Sequence, residues 1–169
     1  LFAMLLALII KVTTFRRIFI ILILIFLNYI FAFVKRYIPF LFIRKYFFGL
    51  EIILICTVAI SMVMGPLLGA LTGPILMIVN YLAERRLSDY FLITLSLYTL
   101  IGYSAYFFSG FGIIRLGIIM AICYNTLSFV LSKLLGANTL TLIVFFLVNI
   151  ISNIFLFIGF GELVLSLLL

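Results

Sequence analysis

The chain has 169 residues, of which 69% are hydrophobic and 9% charged, with 11 Lys and Arg against 4 Asp and Glu, for a net charge of +7. A water-soluble domain carries nearly half apolar and about a quarter charged residues, so this composition excludes a soluble fold and makes lipid the solvent. The basic charges lie scattered between apolar runs, which excludes a nucleic-acid surface and assigns them to orientation and contact with anionic lipid.

In lipid every backbone polar group needs an internal partner, which leaves helices or closed barrels. Barrel strands alternate apolar and polar residues. These runs are apolar on every side, so the reading is an all-α integral membrane protein, one domain of about six transmembrane helices.

Residues 1–10 are apolar but too short to span a bilayer core of ~30 Å, which needs roughly 20 helical residues. Together with the basic stretch to residue 17 they read as a short N-terminal segment: the remnant of a truncated helix, a surface helix, or a signal-peptide core. The stretch "KVTTFRR" gives no small-residue cleavage site, so no cleavage is expected. The chain begins at Leu1 and ends in "LVLSLLL", and one or both natural ends are expected to lie beyond it.

Cuts at charges, prolines and glycines place spans at about 18–34, 46–64, 67–83, 91–108, 113–135 and 139–161. Pro39 falls in the loop between the first two. Between the second and third, "GPLLGALTGP" puts Gly65, Gly69 and Gly73 four residues apart, on one helical face. Helices in lipid associate through close packing at small residues, so this face predicts helix packing, the docking of a partner protein, or a hinge that moves. Pro66 suits a first helical turn, whereas Pro74 is expected to kink the helix or loosen a turn.

Polar residues recur inside the spans. Thr57 and Ser61 are one turn apart on the second, and Asn80 and Glu84 follow Gly73 on the third. Thr99, Tyr103 and Tyr106 form a stripe on the fourth with Tyr98 and Gly102 beside it, and Asn125, Ser128 and Ser132 another on the fifth with Tyr124 beside it. Asn149 and Asn153 share a face of the sixth, and Asn28 lies in the first. Lipid-facing polar atoms are costly, so all are expected to turn inward, either bonding between helices or lining a pocket for a small molecule.

The four acidic residues, Glu51, Glu84, Asp89 and Glu162, avoid the middle of the spans. An ion-coupled carrier usually needs a carboxylate there, so that class is disfavoured. Histidine is absent, and Cys56 and Cys123 stand alone, so no metal site or cofactor is expected. No nucleophile–base pair or phosphate loop occurs, so the chain is not expected to be an enzyme. Tryptophan is also absent, which leaves any aromatic belt to the nine tyrosines.

Residues 42–166 resemble the substrate-binding S components of energy-coupling-factor transporters. Many of those carry a stretch like "GPxxGAxxGxxxD", which Gly65-Pro66, Gly69-Ala70 and Gly73 match after "FFGLEIILICTVAISMVM". The stretches "YFLITLSLYTLIGYSAYFF", "IIRLGIIMAICYNTLSFVLSKLLG" and "FFLVNIISNIFLFIGFG" are similar to the later helices. The resemblance implies a cell-membrane protein that binds a vitamin-like micronutrient and works with a second membrane protein and ATPase subunits. It points to Arg44, Lys45, Tyr98, Asn125, Asn149 and Asn153 as substrate-binding candidates, to which Asn80 is added. The basic loop at Arg44 and Lys45 favours an anionic substrate. A second resemblance, in the third helix and "YTLIGY", is to MreD-like rod-shape proteins, which are scaffolds of cell-wall synthesis. A third reading is an accessory subunit of a larger membrane complex.

The charges and the resemblance give opposite orientations. Six spans put Lys11, Arg16, Arg17 and Arg115 on one side, and Lys35, Arg36, Arg44, Lys45, Arg85, Arg86 and Lys133 on the other. The positive-inside bias then places residues 35–45 in the cytoplasm. The S-component resemblance places that loop outside.

Overall fold

The computed structural model describes residues 2–36, 52–85 and 90–169. Those residues fold into six α-helices: α1 Phe2–Arg36, α2 Ile53–Met64, α3 Pro66–Glu84, α4 Phe91–Ala105, α5 Ile113–Leu134 and α6 Thr139–Leu168. A 3₁₀ segment, Tyr106–Phe111, joins α4 to α5. Five stretches are long and apolar enough to cross a membrane: Phe15–Val34, Pro66–Glu84, Phe91–Phe111, Ile113–Leu134 and Thr139–Leu168. The protein is an all-α, multi-pass membrane protein.

The remaining helix, α2, is the centre of the bundle. Residues 53–61 are all buried, with no exposed face, because α3, α4, α5 and α6 all pack against it. This explains why the sequence "ILICTVAIS" shows no amphipathic stripe: a helix covered on every side needs none. The segment 46–51 that completes the second expected span lies outside the described residues.

α1 differs from its expected form. It runs unbroken for 35 residues, so residues 2–17 continue the first span instead of forming a separate segment. "KVTTFRR" holds no Gly or Pro, and Lys and Arg are good helix formers, so a basic patch marks a membrane boundary without ending the helix. At 1.5 Å per residue α1 is about 52 Å long, well beyond a ~30 Å hydrocarbon core. It packs mainly on α3, and only Leu24, Asn28 and Ala32 of its membrane part are buried.

The junction between α2 and α3 is set by Gly65. Its φ of 97° and ψ of 171° lie in a region that is open essentially to glycine alone. Pro66 then starts α3 at a position whose N–H has no helical acceptor. α3 remains one helix from Pro66 to Glu84, through Pro74. The other end of the bundle uses a second device. After α5, Ala137 N–H donates to the Ser132 carbonyl at 3.0 Å and Gly136 N–H to the Lys133 carbonyl at 3.0 Å, a Schellman closure. Asn138 then caps α6 by accepting from Thr141 N–H at 3.2 Å.

Gly69 and Gly73 face inward. A β-carbon on Gly69 would lie 2.5 Å from the Gly102 carbonyl oxygen of α4 and 2.7 Å from Ser61 Oγ of α2. A β-carbon on Gly73 would lie 2.8 Å from Tyr98 Cβ and 3.1 Å from Thr57 Oγ1. The glycine face therefore lets α3 approach α2 and α4 together. Ser61 Oγ donates to the Gly102 carbonyl at 2.6 Å across this three-helix crossing.

Candidate functional site

Between α5 and α6 the structure gathers three of the expected site residues. Asn125, Asn149 and Asn153 are each 2% exposed or less. Asn153 Nδ2 donates to the Asn149 carbonyl at 2.9 Å and also to Asn149 Oδ1. Asn125 Nδ2 donates to the Ala121 carbonyl at 2.8 Å and reaches Asn149 Oδ1 at 3.4 Å. Asn149 Oδ1 is thus the hub and accepts from both neighbours.

A missing side chain brings the two helices close enough. A β-carbon on Gly117 of α5 would run into the ring of Phe157 on α6, and Phe157 is fully buried. Gly117 is one turn from Ala121, and Phe157 is one turn from Asn153. The close approach there sets the spacing at which the Asn125 amide reaches Asn149.

Helical rise puts the trio deep in the membrane. Asn125 is about 18 Å from the start of α5 and about 14 Å from its end, and Asn149 is about 15 Å into α6. Both lie near the middle of a ~30 Å core.

The trio does not satisfy itself. Asn125 Oδ1, Asn149 Nδ2 and Asn153 Oδ1 are buried and have no hydrogen-bond partner. A buried unsatisfied group costs about 1–3 kcal/mol, while a hydrogen bond between membrane helices contributes on average only about 0.6 kcal/mol. On these magnitudes three unmatched groups cost more than the trio's interhelical hydrogen bond contributes. Two amide oxygens and one NH₂ are left to accept from and donate to a further polar group.

The other sequence candidates fall in different places. Tyr98 is buried, with its ring 4.6 Å from that of Tyr124, the residue before Asn125. It forms part of the wall between α4 and α5. Asn80 is buried on the inner face of α3 with Met77, Ala83 and Glu84. Gly65 and Pro66 make the α2–α3 junction, Gly69 and Gly73 fill the crossing, and Pro74 is half-buried within α3. Arg44 and Lys45 lie outside the described residues. Among the described residues no group of three or more His, Cys, Asp or Glu is placed to hold a metal.

One expectation is corrected. Thr99, Tyr103 and Tyr106 do not turn inward; all three are exposed. Thr99 Oγ1 donates to the Leu95 carbonyl of its own helix at 2.9 Å, so it needs no partner elsewhere. Tyr103 lies in the last turn of α4 and Tyr106 opens the 3₁₀ segment, both at the end of the span. The inner face of α4 is carried by Tyr98 and Gly102 instead.

Asn28 turns inward as expected, and Ser104 makes a contact that was not foreseen. Asn28 Nδ2 of α1 donates to the Leu76 carbonyl of α3 at 2.9 Å. Ser104 Oγ bonds the Ile101 carbonyl of its own helix at 3.2 Å and lies 3.9 Å from Met120 Sδ of α5. Asn28 signals a polar site in its span, but its acceptor lies on a helix the sequence does not pair with it.

No protein-family model, curated protein or solved structure matches this chain.

Proposed function

We propose that this chain is a membrane-embedded binding protein for a small polar molecule, acting as the substrate-binding subunit of a micronutrient uptake transporter in the cell membrane. The observation that carries the reading is the asparagine trio. Three buried amides converge near mid-membrane and leave three polar atoms unsatisfied. Transporter sites commonly lie near the bilayer midplane. A bound solute supplies the missing partners and offsets their cost. The sequence resemblance to S components supports the same reading. It adds a partner membrane protein and ATPase subunits, and it gives the chain a binding role without catalysis. The trio is uncharged, so it suits a neutral polar group; an anionic end of the substrate would fall to Arg44 and Lys45.

The test is to purify the protein in mild detergent, denature it, and identify by mass spectrometry any small molecule released. A polar compound released in near-stoichiometric amount, and lost in Asn149→Leu, is the expected result. Release of nothing from the wild type overturns the reading. Orientation is a second check on the transporter assignment. Single cysteines at Arg44 and Arg115 should label from opposite sides, with Arg44 reached from outside. Labelling of Arg44 only from the cytoplasm sinks the S-component assignment.

The scaffold reading keeps one observation in its favour. Asn28 with Leu76, and Ser61 with Gly102, are satisfied pairwise between helices, as a scaffold requires. Recovery with cell-wall synthesis proteins and without any ATPase would favour it.

A further inference from the structure

The 3₁₀ segment Tyr106–Phe111 buries none of its six residues. Phe107 is 61% exposed, Phe108 50% and Phe111 55%. Their rings lean on one another: Tyr106 and Phe107 are 5.7 Å apart, edge to face, and Phe108 and Phe111 are stacked at 6.4 Å. Tyr103 and the exposed Arg115 flank the group.

Two physical constraints fix where such a segment sits. Its backbone is not an α-helix, and lipid-exposed irregular backbone does not occur within hydrocarbon. Three large exposed phenylalanines in bulk water would form a costly apolar patch. The headgroup layer satisfies both constraints: the amphipathic rings of Tyr103 and Tyr106 favour that depth, exposed phenylalanines bury at the headgroup–acyl boundary, and water there solvates the backbone. The length of α5 agrees, while the shorter α4 reaches the same boundary with its last turn leading into the 3₁₀ segment. α5 starts at Ile113 and rises about 33 Å over its 22 residues, which matches a ~30 Å core whose boundary lies beside the 3₁₀ segment. Arg115 reaches the same layer because a long cationic side chain extends toward headgroups, where its charge complements lipid phosphate.

We infer that Tyr106–Phe111, with Tyr103 and Arg115, is an aromatic collar that binds the headgroup layer of the bilayer and fixes the depth of this end of the bundle. The collar places the Gly69–Gly102 crossing just inside the hydrocarbon boundary, because Gly102 is one turn before Tyr106. It is independent of any substrate bound at the asparagines.

The protein has no tryptophan, so a single Trp reports its own depth. Phe107→Trp and Phe111→Trp are placed in phosphatidylcholine vesicles, with Ile122→Trp, an exposed position near the middle of α5, as the deep control. Quenching is compared for nitroxide on the headgroup, nitroxide near the acyl-chain end, and iodide in water. For both collar positions the headgroup nitroxide should quench about twofold more than the deep one, and Ile122→Trp should show the reverse. Stronger quenching by iodide than by headgroup nitroxide puts the segment in water and overturns the inference. Stronger quenching by the deep nitroxide puts it in hydrocarbon and also overturns it. Weak quenching by all three means that protein, such as a second copy, covers the collar, and the inference fails again. Because both positions are exposed, Trp is accommodated without repacking; elution of each variant as the wild-type species confirms that it is folded.

Discussion

Ser61 Oγ donates to the backbone carbonyl of Gly102 at 2.6 Å, across the point where α2, α3 and α4 meet. The bond is made possible by two absent side chains. A β-carbon on Gly102 would collide with the Gly69 carbonyl, and one on Gly69 would collide with Ser61 and Gly102. The glycines and the hydroxyl act as one unit, in which a β-carbon would cost about 1–3 kcal/mol by overpacking and an interhelical hydrogen bond contributes about 0.6 kcal/mol.

That division gives the first prediction. Gly102→Ala forces backbone apart from backbone, with no flexible side chain to yield. It should cost about 1–3 kcal/mol through overpacking. Ser61→Ala removes only one interhelical hydrogen bond and should cost about 0.6 kcal/mol. Thermal unfolding of both variants in the same detergent checks the order. A Ser61→Ala loss larger than that of Gly102→Ala would show that the hydrogen bond holds the crossing.

Asn28 leads to a local prediction. Its amide is the described hydrogen bond from α1 to α3, and α1 is otherwise exposed along most of its membrane length. Asn28→Leu should loosen α1 from the bundle and leave α2 to α6 packed. Hydrogen exchange should accelerate at Leu24 and Ala32 while Ile53 to Ile60 stays protected. Faster exchange in α2 would show that α1 supports the core.

Cysteine accessibility tests the burial pattern directly. Cys56 is buried in α2, and Cys123 is exposed on α5. In folded protein in detergent, a lipid-soluble thiol reagent should modify one thiol, Cys123, which faces the acyl chains, and Cys123→Ser should abolish that modification. Both thiols of the wild type should react after denaturation. Reaction of the folded Cys123→Ser protein would mean that α2 is not covered on every side.

Much of this architecture is legible in the sequence, for identifiable reasons. Apolar runs longer than a bilayer is thick report spans whatever their neighbours are. Gly65-Pro66 reports a turn because its backbone conformation and its missing N–H are local properties. The four-residue spacing of Asn149 and Asn153 likewise fixes a shared face. Contacts between helices are a different matter. Asn125 meets Asn149 only because α5 packs on α6 at Gly117 and Phe157, and nothing in either segment names the other. The inward turn expected of Thr99 failed because its hydroxyl has a local acceptor, an option that helix geometry offers every Thr and Ser. The N-terminal helix was cut short because charge marks where a membrane ends, not where a helix ends.

The last prediction separates a binding role of Asn149 from a structural one. Removing its side chain deprives Asn125 and Asn153 of a shared acceptor, but each keeps a backbone carbonyl, Ala121 for Asn125 and residue 149 itself for Asn153. The substitution also removes an unsatisfied NH₂ from the interior. Asn149→Leu, close in volume, should therefore leave the unfolding temperature of the ligand-free protein unchanged or raise it. It should at the same time abolish any rise in that temperature produced by adding the released compound, because binding to the folded state alone stabilises it. If the ligand-free variant unfolds well below the wild type, the trio is a structural lock between α5 and α6. In that case its unsatisfied atoms are already matched within the folded protein.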